Sequence, residues 1–151
     1  MKVKLEYIWL DGYKPEPNLR SKIKVVDKKP EDISYVPEWG FDGSSTMQAE
    51  GYSSDCYLKP VRLYQSQIKN DNQYQLIYVL CEVMDKNNKP HETNDRNNLG
   101  EEDKDFWVGF EQEYFIRSSH NKDVLGFERG GTVDPQGKYY CGVGGQIVGR
   151  K

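Results

Sequence analysis

Apolar and polar positions alternate from the start of the chain. In Lys2-Val-Lys-Leu-Glu-Tyr-Ile-Trp-Leu10, the side chains of Val3, Leu5, Tyr7 and Trp9 share one face of a predicted strand. Asp11-Gly12 marks a turn, and Lys14-Pro-Glu-Pro17 extends the loop. Ser21–Val26 alternates again, which predicts Ile23 and Val25 facing inward and Lys22 and Lys24 facing outward. Tyr57–Tyr64 and Gln75–Val83 predict two further strands, joined through the polar loop Ile68–Gln73. Four or five such strands predict a mainly antiparallel sheet. Asn87-Asn-Lys-Pro90 has the composition of a boundary loop, and Asn97–Asp105 is strongly polar.

A different pattern follows in Trp107-Val-Gly-Phe-Glu-Gln-Glu-Tyr-Phe-Ile116, whose aromatic and β-branched residues predict a strand. Alternation places Glu111 and Glu113 on one face, with Gly109 and Phe115 beside them. Two carboxylates held side by side repel, and one takes up a proton unless a cation neutralises both. Mg²⁺ and Mn²⁺ prefer such oxygen ligands. Two readings stand at this point: a metal-binding pair, or a polar strand face on which two glutamates happen to alternate. Beyond it lie a glycine-rich loop, Gly126–Gly137, and an aromatic segment, Tyr139-Tyr-Cys-Gly-Val143. The chain stops at Gly149-Arg-Lys151 with no closing helix, so the expectation is a domain cut off early.

Pro37-Glu-Trp-Gly-Phe-Asp-Gly-Ser-Ser-Thr46 and the following Gln48–Asp55 predict a long loop between strands. Asp42-Gly43 supplies turn chemistry, and the hydroxyls of Ser44, Ser45 and Thr46 can bond nearby backbone. An ordered surface turn and a functional loop both fit, since long structured loops in compact domains often carry function.

The charge balance narrows the partners. A formal net charge of −3 with scattered lysines and arginines excludes a nucleic-acid footprint, which needs a basic face. The longest apolar run, near Leu76–Leu80, is far too short to span a bilayer. Three widely spaced cysteines offer no disulfide framework, so the expected setting is reducing, intracellular and cytoplasmic. Gly142-Val-Gly-Gly145 lacks the lysine and hydroxyl of a phosphate-binding loop. His91 and His120 have no ligand-spaced partners and read as solvated or locally bonded, and Cys141 as an inert thiol.

Five segments together carry a family resemblance: Phe41-Asp-Gly-Ser-Ser45, Ser54-Asp55, Pro90-His-Glu-Thr-Asn94, Phe110-Glu-Gln-Glu-Tyr114 and Tyr139-Tyr-Cys-Gly-Val-Gly144. Their order resembles the N-terminal portion of glutamine synthetase, of the eukaryotic type that also occurs in some bacteria. The resemblance covers this whole chain and less than half of the family's length. It implies an α+β protein, with an N-terminal β-grasp domain over residues 1–88. Residues 89–151 would begin the catalytic domain. The implied activity is ATP-dependent ligation of ammonia to L-glutamate through γ-glutamyl phosphate, in a homo-oligomer of stacked rings.

By the same resemblance, Glu111 and Glu113 match the first two carboxylates of a two-metal site for Mg²⁺ or Mn²⁺. Paired cations there neutralise phosphoryl oxygens and orient an in-line transfer. Asp42 matches the acidic residue of a loop that reaches into the neighbouring subunit's site, binds ammonium and withdraws its proton. Ser45 and Asp55 match the support of that loop. Trp107 matches a position beside the nucleotide base, and Tyr140 lies near the substrate pocket. For both aromatics a core role stands beside the ligand role.

Departures limit what is implied. Only Asn97–Phe106 separates Arg96 from Trp107, too few residues for the helix the family usually has there. Tyr64-Gln-Ser-Gln67 replaces the family's Asp-Pro-Phe. The family's remaining metal ligands and the arginines for phosphate and glutamate would lie beyond Lys151. The expectation is therefore weak metal affinity and no turnover for this chain alone. Two other functions fit the residues: a truncated, non-catalytic relative that docks on full-length subunits, or a small β-rich module whose glutamate pair holds a cation.

Overall fold

A computed structural model describes residues 2–67, 74–100, 105–111, 113–126, 136–137 and 139–145. The expected loop Ile68–Gln73 and most of Gly126–Gly137 lie outside these residues. The chain forms two compact units, Met1–Glu102 and Asp103–Lys151.

The first unit is one five-stranded sheet built from β1 (Lys2–Leu10), β2 (Leu19–Val26), β3 (Trp39–Asp42), β4 (Asp55–Gln65) and β5 (Tyr74–Met84), in the order β2-β1-β5-β4-β3. Three of its pairings are antiparallel and the central one, β1 with β5, is parallel. This is the β-grasp arrangement, in which the first and last strands meet in the middle. Val3, Leu5, Tyr7 and Trp9 of β1 are buried as their alternation predicts. They join Cys56 and Leu58 of β4, Ile77, Val79, Cys81 and Val83 of β5, and Val36 in a single core. The 3₁₀ turn Ile33–Tyr35 leads into that cover, and the Tyr7 hydroxyl donates to the Pro37 carbonyl at 2.9 Å. Burial pushes the Tyr7 phenol up to about 12. Pro60 in β4 has no N–H for the ladder, and the register slips between Pro60 and Arg62.

Strand β2 shows its faces in the opposite phase to the one predicted. Lys24 lies opposite Leu5 and Lys22 opposite Tyr7, so both lysines share the core face with β1's apolar residues. Ile23 and Val25 are 48% and 56% exposed on the other side. Alternation gives the period of a strand but not its phase, which here follows from the pairing register. The sheet then curls so that its two edge strands meet. Lys22 Nζ donates to the Gly40 carbonyl of β3 at 2.7 Å and stands 3.7 Å above the Trp39 ring, with Lys24 at 5.0 Å. Burial, and then the Lys24 charge, lower the Lys22 pKa. Tyr7 meets Trp39 edge-on at 5.2 Å, and Trp9 meets Phe41 at 5.0 Å.

Residues following β5 fold back on the sheet. His91 N–H donates to the Val83 carbonyl at 3.0 Å, and Asn94 Nδ2 donates to the same oxygen at 3.3 Å. These contacts hold His91 and Asn94 to the first unit, which runs to Glu102.

The second unit is described only in part. Leu125 N–H donates to the Ile116 carbonyl at 2.8 Å and Ser118 N–H to the Asp123 carbonyl at 2.9 Å, closing a tight turn around His120. His120 bonds locally, with Ser119 Oγ 3.0 Å from its Nδ1. The predicted strand Trp107–Ile116 is not formed among the described residues; its backbone is irregular and exposed. A strand takes its hydrogen bonds from a neighbour, and among the described residues this segment meets one only at its end, where Leu125 N–H reaches Ile116.

Candidate functional site

The chemistry of the first unit gathers where β1, β3 and the segment after β5 converge. Asp42 ends β3 and caps the 3₁₀ turn Gly43–Thr46. Its Oδ1 accepts from the Ser44 amide at 2.9 Å and the Ser44 hydroxyl at 2.6 Å. The Ser44 hydroxyl, the Ser44 amide and then the Ser54 side chain hold its pKa below the usual carboxylate range, so Asp42 is a solvent-facing anion. Ser45 Oγ donates to the Asp42 carbonyl at 3.0 Å. Asp55 lies directly opposite Asp42 in the β3–β4 ladder, and Gly43 N–H donates to the Ser54 carbonyl at 2.7 Å. The structure thus brings Asp42, Ser45 and Asp55 together.

Glycine is required beneath this turn. A Cβ on Gly12 would stand 2.2 Å from the Met47 carbonyl oxygen, and one on Gly43 would stand 2.6 Å from Cys56 Sγ. Gly12 N–H donates to the Thr46 carbonyl at 2.9 Å, seating the turn on the end of β1. Asp11, the residue before it, is fully buried. Burial alone would raise its pKa, but bonds from the Asn18 amide, Arg20, the Tyr13 amide and the Asn18 side chain outweigh that and lower it.

Glu111, Glu113, Trp107 and Tyr140 belong to the second unit. Both glutamates are exposed on irregular backbone. Trp107 is 92% exposed and Tyr140 is 64% exposed.

The relation to known proteins completes the picture. The family described as glutamine synthetase, β-grasp domain, matches residues 2–86, the region that forms the five-stranded sheet and the Asp42 turn. This chain belongs to the glutamine synthetase family. It is 47% identical over 150 residues to the glutamine synthetase of Bradyrhizobium diazoefficiens, covering 98% of this chain and 42% of that protein. The glutamine synthetase of Streptomyces viridochromogenes is 46% identical over 157 residues, covering 99% and 44%. That of Saccharomyces cerevisiae is 40% identical over 151 residues, covering 96% and 39%. The chain spans about two fifths of the length of these relatives.

A divalent metal can be tested against the residues of this glutamine synthetase portion. Among the described residues, no three His, Cys, Asp or Glu side chains stand close enough to hold an ion. Two exposed carboxylates leave most of a six-coordinate shell to water. The described residues therefore do not by themselves fit a resident metal. What sequence reasoning missed lies under the Asp42 turn, where Gln48, His91 and Thr93 bond to one another. The signal for Gln48 was faint: a polar residue in a polar loop whose burial, 4% exposed, depends on the fold.

Proposed function

We propose that this chain supplies the N-terminal portion of a glutamine synthetase subunit, and that its Asp42 turn is the part it contributes to an active site. The complete enzyme would ligate ammonia to L-glutamate with ATP and Mg²⁺ or Mn²⁺, through γ-glutamyl phosphate, in a cytoplasmic homo-oligomer. The observation carrying this reading is the hydrogen-bonded, exposed placement of Asp42 within a sheet that matches the family over residues 2–86. Glu111 and Glu113 would join a metal site only with ligands from outside the described residues. Trp107 and Tyr140 would then lie beside nucleotide and substrate.

The hydrogen bonds to Asp42 bear on its role. They stabilise the ionised form, which suits a counter-charge for ammonium. The same bonds make the carboxylate a weaker proton acceptor, so charge pairing is supported more strongly than proton withdrawal.

The test is γ-glutamyl hydroxamate formation from ATP, glutamate and hydroxylamine with Mg²⁺ or Mn²⁺. The chain alone is expected to show no turnover. Joined to the remaining length of a relative, it should show turnover that Asp42→Ala depresses. Turnover by the chain alone, or a joined enzyme indifferent to Asp42→Ala, would overturn the proposal.

A further inference from the structure

Beneath the Asp42 turn, three side chains close a ring of hydrogen bonds. Gln48 Nε2 donates to Thr93 Oγ1 at 2.9 Å and to the Leu10 carbonyl at 3.1 Å. Thr93 Oγ1 lies 2.9 Å from His91 Nδ1, and Thr93 N–H donates to that nitrogen at 3.2 Å. His91 Nε2 lies 2.5 Å from the Gln48 carbonyl. Only one assignment of protons satisfies all of these contacts. Nδ1 faces an N–H donor, so it is an acceptor, its one lone pair shared between the Thr93 amide and the Thr93 hydroxyl as hydrogen-bond donors. Nε2 carries the imidazole hydrogen and donates to the Gln48 carbonyl. The circuit runs from the Gln48 amide through the Thr93 hydroxyl and the His91 ring back to the Gln48 backbone. Bonds aligned head to tail in this way strengthen one another.

The circuit is attached to the turn at its base. Gln48 N–H donates to the Gly43 carbonyl at 2.8 Å, and Gly43 follows Asp42 directly. Gly43 N–H, bonded to Ser54, fixes the other side. Thr46 and Gln48 are both buried and His91 and Thr93 half-buried, so the exposed residues of the turn stand on a largely buried base.

We infer that Gln48, Thr93 and His91 are positioning residues that set the conformation of the Asp42 turn, with Thr93 as the hydroxyl that closes the circuit. None of them touches a reacting atom. The inference deepens the proposed role of Asp42, yet its test does not depend on that role.

The experiment is nuclear magnetic resonance on the full 151-residue chain, comparing the parent with Thr93→Val and Thr93→Ser. Valine keeps the shape and removes the hydroxyl; serine restores it. In Thr93→Val, the Ser44 amide is expected to exchange about fivefold faster, the loss of one ordinary hydrogen bond. The Asp42 carboxyl titration should move up toward the ordinary range, and Thr93→Ser should return both to the parent values. Core amides of Leu58 and Val79 report whether the fold survives. Should Thr93→Val unfold, the parent itself decides. There the Ser44 amide and the Gln48 side-chain amide should exchange through one shared opening, at matching rates after intrinsic correction. Thr93→Val with an unmoved Asp42 titration and Ser44 amide refutes the inference. So does a parent in which Ser44 exchanges freely while Gln48 stays protected. Hydroxamate turnover tests the synthetase reading separately, and its failure would leave the positioning result standing.

Discussion

Replacing Asp11 by asparagine tests how the loop after β1 is held. The Asp11 side chain has no exposed surface, and its Oδ1 accepts from the Asn18 amide at 2.8 Å and the Tyr13 amide at 3.2 Å. Its Oδ2 accepts from Arg20 Nε at 2.8 Å and Asn18 Nδ2 at 3.2 Å. Asparagine is nearly isosteric and can keep its oxygen toward the two backbone amides. Its NH₂ group then faces two donors. The backbone bonds fall from charge-assisted to neutral strength, about 1 kcal/mol each. The Arg20 side chain is 39% exposed, so its lost ion pair adds only about 1 kcal/mol. The sum is about 3 kcal/mol, which at an m-value of about 2 kcal/mol/M lowers the urea midpoint by about 1.5 M.

Protonation supplies a second check on the same group. The folded-state pKa of Asp11 is depressed, so its contribution is fully present above the ordinary carboxylate pKa and is lost as pH falls through the lowered folded value. The gap between parent and Asp11→Asn should be widest near neutrality and shrink in acid. Equal midpoints at pH 7, or a gap that stays constant into acid, would refute the reasoning.

Two further outcomes follow from the packing. Gly12→Ala should destabilise the first unit by about 1–3 kcal/mol, because its Cβ meets the Met47 carbonyl at 2.2 Å. Gly51→Ala, with nothing within 4 Å, should stay within about 0.5 kcal/mol, and equal effects in the two urea titrations would contradict the clash. In thiol labelling at mildly alkaline pH, exposed Cys141 should react fast, whereas Cys56 and Cys81 should wait for denaturant. Burial raises both buried thiols, Cys81 to about 12, and a second fast-reacting thiol would show that the core opens more readily than its packing implies.

Much of the sheet was legible because burial on one face imposes a period of two. The four strands read from alternation all exist, with ends shifted by a few residues. Strand β3 was not legible. Trp39–Asp42 is four residues long, contains a glycine and reads as part of a loop; it becomes a strand because β4 offers it a partner. The Asp42-Gly43 turn was visible in its chemistry, whereas the part-buried base formed by Gln48, Thr93 and His91 joins residues more than 40 positions apart.

By itself, the sequence determined what local chemistry and order can carry: the core face of β1, the capping turn at Asp42, and the family through its ordered motifs. Tertiary structure decided what depends on a partner. Pairing with β1 turned Lys22 and Lys24 onto the core face, where Trp39 of the opposite edge covers Lys22. The absence of a pairing strand among the described residues left Glu111 and Glu113 exposed on irregular backbone. A side chain's alternation is a property of its own strand, but its phase, burial and electrostatics belong to the neighbour that the strand acquires.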